Sequence, residues 1–386
     1  MAIEKQFIIE VFDPLTLAKI TTWSNANIQS FRKKINGGFS ECVIELPDPF
    51  DYYGTDIAEG NDVKISVIDA DLTPGTTRVI YSGYISMVEG KIESRNEGVK
   101  VHLLGYNTML SLDFLRSGTT TTQVFTTTDI GTIILNIVNL FITNNPTTKI
   151  NASVISIPVV SETASYTFKR STYQDAIDKM RSIAPANYYF YIDENNTVNF
   201  KPKPTTPTHT FTLGKHFSSI SVQRGVEKIK NSLLLWDGKN PATVYKKYED
   251  SNSIALYGRR ATKVDDYGLT DVPTADALAL SFLNENKDPE IVINVQVMDN
   301  QKNIQGFGYD IESIQPGNTC RFVGFTDGFR GRYLQDNMLI TEVVYYPDRV
   351  ELTIDPRNLG ILEWQDQSAK NTDQLSSDGT PTDYTV

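Results

Sequence analysis

The sequence lacks the residues that mark disulfide-rich, membrane-spanning or secreted proteins. Only two cysteines, Cys42 and Cys320, occur among its 386 residues. Both lie in alternating apolar runs, so we expect buried thiols rather than a disulfide. No apolar run approaches the roughly 20 residues of a membrane-spanning helix. The N-terminus has no basic segment followed by an apolar one, so we expect no secretory signal.

Basic side chains are also few: the sequence has 36 Lys and Arg and 47 Asp and Glu, which gives a net charge of −11. Residues 1–116 carry 11 basic and 16 acidic side chains, whereas residues 117–215 carry 8 and 6. Proteins that hold nucleic acid neutralise its phosphates, so this balance argues against DNA binding. It is compatible with a protein that DNA merely passes. The doublet Arg259-Arg260 is predicted to form a salt bridge between subunits rather than a phosphate contact.

The combinations of residues that carry catalysis are missing too. The three histidines, His102, His209 and His216, do not have the spacing of a metal-binding pair, so we expect structural roles for them. The sequence contains no phosphate-binding loop and no Gly-x-Ser-x-Gly motif, and it establishes no Cys-His arrangement. We therefore predict no enzymatic activity, no catalytic residue, no cofactor and no metal site.

Carboxylates are plentiful but scattered. A glycosidase needs two of them in one cleft, and Asp265 with Asp266, or Glu93 with Glu97, are the pairs to consider. We interpret all four as solvated turn residues. The polar run 193–196 lacks the length and the terminal glutamate of a calcium-binding loop.

The clearest positive signal is alternation of apolar residues, which predicts six or seven antiparallel strands within residues 1–116, enough to close a small barrel. Asn36-Gly37-Gly38 between two apolar runs predicts a hairpin. The stretch 81–115 predicts two long strands around a wide polar loop at 93–98. A short apolar segment at 109–115 follows, which would cover one end of a barrel.

After Gly118 a threonine run begins, and the apolar period changes from 2 to 3.6, which predicts a new domain over residues 117–215. One helix should begin after Asp129 and a second should run from about 172 to 184. A hairpin should follow over Asn195-Asn196. These elements predict a small α+β insert, and the prolines of 201–207 predict a stiff connector behind it.

Residues 216–362 predict a second β domain, interrupted by a helix at about 273–287. The apolar run 254–257 is interpreted as one of its strands. Residues 363–386 carry one basic and five acidic side chains and almost nothing to bury, so we expect a mobile acidic tail. The fold class predicted is α+β, mostly β, with two related antiparallel β-barrel domains and a small α+β insert domain between them.

A short repeat links the two predicted β domains. The run 57–63, IAEGNDV, returns at 314–320 as IQPGNTC, each time before a strand. The simpler interpretation is that the start of a strand often needs a Gly-Asn turn. The other is an internal duplication, which would let three subunits present six similar units.

The layout resembles the central tail hub of bacteriophages over roughly residues 1–360. The carrying segments are the strands YSGYI and VHLLGYN, the threonine-rich step into the insert, and YGRRATKVDDYGLTDVPTADALALSFLNEN before the returning strands. This family covers the baseplate hub of contractile tails and the N-terminal part of the tail-associated lysin of long non-contractile tails. It implies a homotrimer whose duplicated barrels form a pseudo-hexameric ring. Because the sequence stops near residue 386, we expect no peptidoglycan hydrolase domain after it.

The predicted function is therefore a structural tail hub in the virion, assembled in the host cytoplasm and located at the tail tip. Its expected partners are the tail tube or distal tail protein above, a tip, spike or fibre protein below, and the tape-measure protein. DNA would pass through the ring without specific binding, past a neutral or negative wall. The 19 Tyr and 18 Phe leave a carbohydrate-binding receptor-recognition module as an alternative, and a peptidoglycan hydrolase as a second one.

Overall fold

The computed structural model describes residues 6–355 apart from 25, 49, 69–76, 94–95, 147, 161, 186, 240, 300–308, 327–333 and 335–336. The predicted tail at 363–386 lies outside the described residues. Within the described part, strands far outnumber helices, as the alternation in the sequence predicts.

The bounds of the elements are as follows. The strands are β1 Gln6–Phe12, β2 Lys19–Trp23, β3 Asn27–Lys34, β4 Phe39–Leu46, β5 Asp62–Ile68, β6 Arg78–Glu93, β7 Asn96–Leu104, β8 Thr122–Asp129, β9 Asn151–Ser156, β10 Thr163–Lys169, β11 Tyr188–Ile192, β12 Thr197–Pro202, β13 His209–Thr212, β14 Ile220–Gly225, β15 Ser232–Trp236, β16 Tyr245–Glu249, β17 Ala261–Asp265, β18 Glu290–Met298, β19 Thr319–Val323, β20 Met338–Tyr346 and β21 Arg349–Asp355. The helices are α1 Phe50–Tyr53, α2 Met109–Leu112, α3 Ile130–Asn144, α4 Tyr173–Ile183, α5 Ser251–Tyr257 and α6 Val272–Asn286.

Thirteen strands form one large sheet. Its main path runs β14-β18-β21-β20-β3-β4-β7-β6-β5-β1-β2, and β19 and β13 branch from it at β20. All of its pairs are antiparallel except β13 with β19. The pairing of β20 with β3 joins the two halves of the chain, so the two predicted β domains share one sheet. No described residues pair the ends of this path, β2 and β14, so closure into barrels stays a prediction.

Two large apolar cores and one small cluster of Ile35, Tyr189 and Leu339 are buried in the described part of the chain. The first lies against the large sheet and combines side chains from both halves of the chain, from Ile9 to Leu103 and from Phe211 to Ile354. The second is built around α3, α4 and α6 with the strands of the insert. This second core combines helices and strands, and it contains residues from 106–115 and 233–283 as well as from the predicted insert.

The helices begin where the sequence predicts because polar side chains satisfy their first amides. Asp129 accepts a hydrogen bond from the amide of Thr132 at 2.7 Å and so starts α3. Thr172 and Asp175 form a reciprocal capping box at the start of α4. The predicted helices at about 130–144, 172–184 and 273–287 are confirmed, as is the hairpin over Asn36-Gly37-Gly38 between β3 and β4.

Three local predictions are wrong. The run 254–257 lies in helix α5, because Asp250 accepts from the amide of Ser253 at 2.8 Å and caps a helix there. The predicted change to a period of 3.6 after Gly118 comes too early, because strand β8, at Thr122–Asp129, precedes the first helix and pairs with β10, in keeping with the β preference of threonine. The wide loop at 93–98 is tighter than predicted, because the ladder of β6 with β7 continues to the pair Glu93 and Asn96.

The block 232–286 lies differently from the expected second barrel. Strands β16-β15-β17 form a separate sheet of their own. Leu233, Leu235 and the apolar face of α6 are buried in the insert core rather than against the large sheet. The apolar segment 109–115 also contributes to the insert core, through Leu110 and Leu115.

The longest described helices, α3 and α6, have 15 residues each. None of the helices that the structure describes combines the length and apolarity needed to span a membrane.

Candidate functional site

The Gly-Asn repeat of the sequence has the same backbone geometry in both places. Gly60 has a φ of 92° and Gly317 a φ of 85°, values that favour glycine. The amide of Gly60 donates to the carbonyl of Ile85 at 2.8 Å, and that of Gly317 donates to the carbonyl of Ile340 at 2.8 Å. Each isoleucine amide in turn donates, at 2.9 Å, to the carbonyl of the asparagine after the glycine.

A second feature repeats one residue after these isoleucines. Both hairpins carry a register shift there, at Ser86 in β6 and at Thr341 in β20. Each of these two hydroxyls donates at 3.0 Å to a carbonyl on the neighbouring strand, that of His102 or that of Thr353. Two β-bulges with the same side-chain hydrogen bond make chance an inadequate explanation of the repeat.

The order of strands repeats as well. The first unit is β3-β4-β7-β6-β5 and the second is β14-β18-β21-β20-β19. One row of directly paired residues across the first unit has a counterpart across the second: Ser30, Val43, His102 and Met87 correspond to Ser221, Asn294, Thr353 and Glu342. The large sheet therefore contains two copies of one five-stranded arrangement.

The two copies meet where β3 pairs with β20. Four residue pairs join them, from Lys34 opposite Glu342 to Phe31 opposite Tyr345. The rings of Phe31 and Tyr345 stack with centroids 4.5 Å apart, and both are buried. On the more exposed face, the Nε of Arg32 lies 3.1 Å from a carboxylate oxygen of Glu342.

A buried lysine ties this junction to the insert. Lys33 is only 4% exposed, and its ammonium donates to Gln315 at 2.7 Å and to Glu194 at 3.2 Å. It also lies 4.4 Å from the centre of the Phe39 ring. Burial lowers the pKa of Lys33, and the charge of Glu194 opposes that effect. Glu194 belongs to the 193–196 run, which forms the turn between β11 and β12.

The histidines of the second half lie in contacts within the chain. His209 is buried in β13, with Nδ1 2.9 Å from the hydroxyl of Tyr309 and Nε2 3.0 Å from the side-chain oxygen of Asn318. Burial lowers the pKa of His209. His216 accepts from the amide of Thr212 at 3.1 Å. Burial and the charge of nearby Lys215 lower the pKa of His216.

His102 lies on β7 between two carboxylates. Its Nδ1 is 2.8 Å from Glu41 and its Nε2 is 3.6 Å from Glu89. The two described ionic neighbours of His102 are therefore carboxylates, and neither is a second histidine. Across the described residues, no cluster of three or more His, Cys, Asp or Glu side chains is arranged to hold a metal ion.

The solvated interpretation fits Asp265 and is wrong for Asp266. Asp265 is partly exposed, with a carboxylate oxygen 3.0 Å from the ammonium of Lys263. Asp266 is 2% exposed, contacts the buried ammonium of Lys179 and accepts from the hydroxyl of Tyr166 at 2.6 Å. Lys179 lies on the face of α4 that carries the buried residues 176, 180 and 183. This helical spacing is the sequence signal that indicates a buried lysine in need of an acidic partner. The side chains of the other pair, Glu93 and Glu97, lie outside the described residues.

The two arginines of the basic doublet contact groups within the chain, and both cysteines are buried in it. Arg259 has its Nε 3.1 Å from Glu249, and Arg260 donates to the carbonyl of Val226 at 2.8 Å, so these contacts are not between subunits. Cys42 and Cys320 are free and buried, as predicted, and burial raises the pKa of both thiols.

A small cleft of about 210 Å³ lies beside β2 and α1. Aromatic and acidic side chains line it, among them Trp23, Tyr52, Tyr53 and Asp48. Tyr52 is 74% exposed, and the indole N–H of the buried Trp23 has no hydrogen-bond partner among the described residues. An open ring beside an unused indole N–H is the kind of surface on which a sugar could stack.

Comparison with known proteins identifies the fold. No protein-family model and no curated protein sequence matches the chain. Among solved structures, the 43 kDa tail protein of prophage MuSo2 from Shewanella oneidensis superimposes with a TM-score of 0.60 at 12% identity, over 91% of this chain and 98% of that one. This chain has the fold of a phage tail protein. The predicted resemblance is thus confirmed at the level of fold.

Two further phage tail structures agree. The tail protein from Neisseria meningitidis MC58 has a TM-score of 0.59 at 9% identity, over 92% of this chain and 96% of that one. Prophage tail protein gp18 from Listeria monocytogenes EGD-e has a TM-score of 0.56 at 12% identity, over 94% and 98%. Each likeness covers nearly all of both chains, so the fold shared with phage tail proteins includes the duplicated sheet and the insert together.

Proposed function

We propose that this protein is a structural tail hub, three copies of which form a ring at the tip of a bacteriophage tail. The observation that carries the proposal is the duplicated five-stranded unit, because three chains then present six similar units. Such a ring can face a sixfold tail tube on one side and threefold tip components on the other. The fold shared with prophage tail proteins supports the same assignment.

The partners follow from this position. The tail tube or distal tail protein would contact the ring from above, a tip, spike or fibre protein would contact it from below, and the tape-measure protein would reach it from the tube. The protein would act by shape and assembly, without catalysis. Its place in the virion would be the tail tip, reached after assembly in the host cytoplasm.

The charge distribution suits a ring that DNA leaves through. Residues 1–116 and 216–360 carry net charges of −5 and −4, from 11 basic against 16 acidic and 16 against 20 side chains. Every Lys or Arg lining the passage would hold phosphates that must slide. We therefore infer a neutral or negative inner wall supplied by these two segments, with the insert, at +2, outside.

Electron microscopy of the purified protein tests the proposal. We expect a threefold ring, and light scattering should give three times the chain mass of 43.3 kDa. A protein that remains a monomer at high micromolar concentration would overturn the trimer. A continuous circle of Lys and Arg around the opening, or tight binding of duplex DNA at physiological salt, would overturn the inferred wall.

The cleft beside β2 gives the carbohydrate-binding alternative one specific observation. If it binds host glycans, Tyr52→Ala should abolish binding to host cell-wall polysaccharide, because the exposed ring provides the stacking surface. Tyr245→Ala is the matched control, since Tyr245 is 68% exposed and lies away from the cleft. Equal retention of binding by both variants would exclude this cleft as the glycan site.

A further inference from the structure

The two five-stranded units are joined to each other once within the chain, at a completed junction where a strand of one unit pairs with a strand of the other. The two strands that correspond to this pair each have an edge with no partner among the described residues, and these edges are the two halves of an open junction. At the completed junction, β3 of the first unit pairs with the second half of β20. The counterpart of β3 is β14, and the counterpart of β20 is β6. Within the described residues, β14 pairs only with β18, and residues 87–90 of β6 pair only with β7.

The repeat fixes which residues correspond. Counting along the strands from the matched rows, the β3 residues Phe31 to Lys34 correspond to Val222 to Gly225. By the same count, Glu342 to Tyr345 of β20 correspond to Met87 to Gly90 of β6. The pairs of the completed junction therefore translate into a full register for the open one.

The residues of the open junction are more exposed than their counterparts in the completed junction. Strands that lack a neighbour on one side show this difference. Phe31 and Val343 are buried at 4% and 0% exposure in the completed junction. Their counterparts Val222 and Val88 are half-buried, and both pack at the margin of the same apolar core. Gly90 is exposed, although its counterpart Tyr345 is buried. On the side of the core, the open edges thus carry Val222, Val88 and Gly90 together with the exposed Arg224.

We propose that β14 of one copy pairs in antiparallel fashion with residues 87–90 of β6 of a second copy, with Gly225 opposite Met87 and Val222 opposite Gly90. Arg224 then faces Val88, and Gln223 faces Glu89. The proposal rests on the proposed ring and names the surface that closes it. It extends the sheet from copy to copy by main-chain hydrogen bonds.

A second copy of this chain is the occupant because both matching edges lie on the same molecule. A strand edge leaves a row of amides and carbonyls unpaired, and it attracts any strand with suitable length and register. Here the chain itself supplies that strand, and the junction inside the chain shows that the equivalent strands of the two units pair in this arrangement. The contact joins two different surfaces, so it repeats head to tail and produces a closed ring when the rotation between copies allows.

Disulfide trapping tests the register. Glu89→Cys and Gln223→Cys together place two thiols opposite each other on the exposed face, and the native Cys42 and Cys320 are buried and should not compete. Val344→Cys with Arg32→Cys is the matched positive control, because this is the equivalent pair inside one chain. Glu89→Cys with Ser221→Cys is the out-of-register control, two residues further along the same face.

We expect mild oxidation of the first variant to give covalent dimers and closed trimers on a non-reducing gel, while the in-chain control gives an internal disulfide at the mass of one chain. The out-of-register pair should give at least several-fold less product. If light scattering shows a trimer and the in-chain control closes, but Glu89→Cys with Gln223→Cys does not link, this pairing is wrong while the ring stands. A monomer that yields no links between chains would overturn the ring and the pairing together.

Discussion

The buried pair of Lys179 and Asp266 makes the insert core unusually sensitive to a single isosteric change. Asp266→Asn removes the carboxylate charge while keeping the size of the side chain, and the amide oxygen can still accept from Tyr166. Lys179, at 1% exposure, would then keep its ammonium in the core without the charge of Asp266. Removing one partner of a buried ion pair typically costs about 3–5 kcal/mol. We expect a loss of that order in the free energy of unfolding.

The neighbouring residue supplies the matched control. Asp265 contacts Lys263 at 3.0 Å, and both side chains are substantially exposed. Exposed ion pairs contribute about 0–1 kcal/mol, so Asp265→Asn should change the stability little. A second variant, Lys179→Met with Asp266→Asn, removes both charges, and it should recover much of the stability that Asp266→Asn loses.

The measurement is equilibrium unfolding in urea at one fixed protein concentration, followed by circular dichroism and by fluorescence. Coincident transitions from the two probes would justify a two-state treatment. The reasoning fails if Asp266→Asn and Asp265→Asn lose the same amount. It also fails if the double variant loses as much as the two single changes at Lys179 and Asp266 added together.

Two further predictions concern the buried His209 and the two glycines of the Gly-Asn repeat. Because burial lowers the pKa of His209 in the folded protein, the unfolded chain binds a proton first as the pH falls below about 6.5, and stability should decrease there. His209→Gln should flatten this part of the pH profile, and an unchanged slope would contradict the assignment. Gly60→Ala should cost roughly 1–2 kcal/mol through backbone strain alone. Gly317→Ala should cost more, because its Cβ would overlap the ring of Tyr189, whereas no described atom lies within 4 Å at Gly60; equal losses in urea unfolding would refute this difference.

Local signals in the sequence predicted the elements that are stabilised locally. The cap at Asp129 and the hairpin turn Asn36-Gly37-Gly38 each act within a few residues, so a short window contains the whole cause. The same window misleads at 254–257, where an apolar run is only part of a helix that Asp250 caps four residues earlier. Strand β8 was missed because threonines carry no apolar alternation, although their branching favours strands.

Contacts between distant segments were beyond a local interpretation. Asp266 looks like a turn residue beside Asp265, and only the arrival of Lys179 and Tyr166 from the insert buries it. The Gly-Asn repeat was visible in the sequence, but its meaning depended on hydrogen bonds to β6 and β20, 25 or fewer residues further along the chain. The pairing of β3 with β20, which unites the halves, joins residues about 310 positions apart, and no periodicity encodes it.

The junction inside the chain differs in chemistry from the junction proposed between copies, and the proposed assembly gives a reason for the difference. The junction inside the chain forms once, during folding, and it contains the stacked rings of Phe31 and Tyr345 and the buried amine of Lys33. The corresponding positions at the open edges are Val222, Gly90 and an exposed Arg224. In the proposed ring, a free copy would have to remain soluble until it meets its neighbours, and large aromatic rings on an unpaired edge would promote uncontrolled association. A glycine and a charged residue keep such an edge available for main-chain pairing while the copies are apart. At these positions the duplicated units therefore differ as the proposed pairing requires: aromatic rings lie where the chain pairs with itself, and a valine, a glycine and an arginine lie at the edges that would meet a second copy.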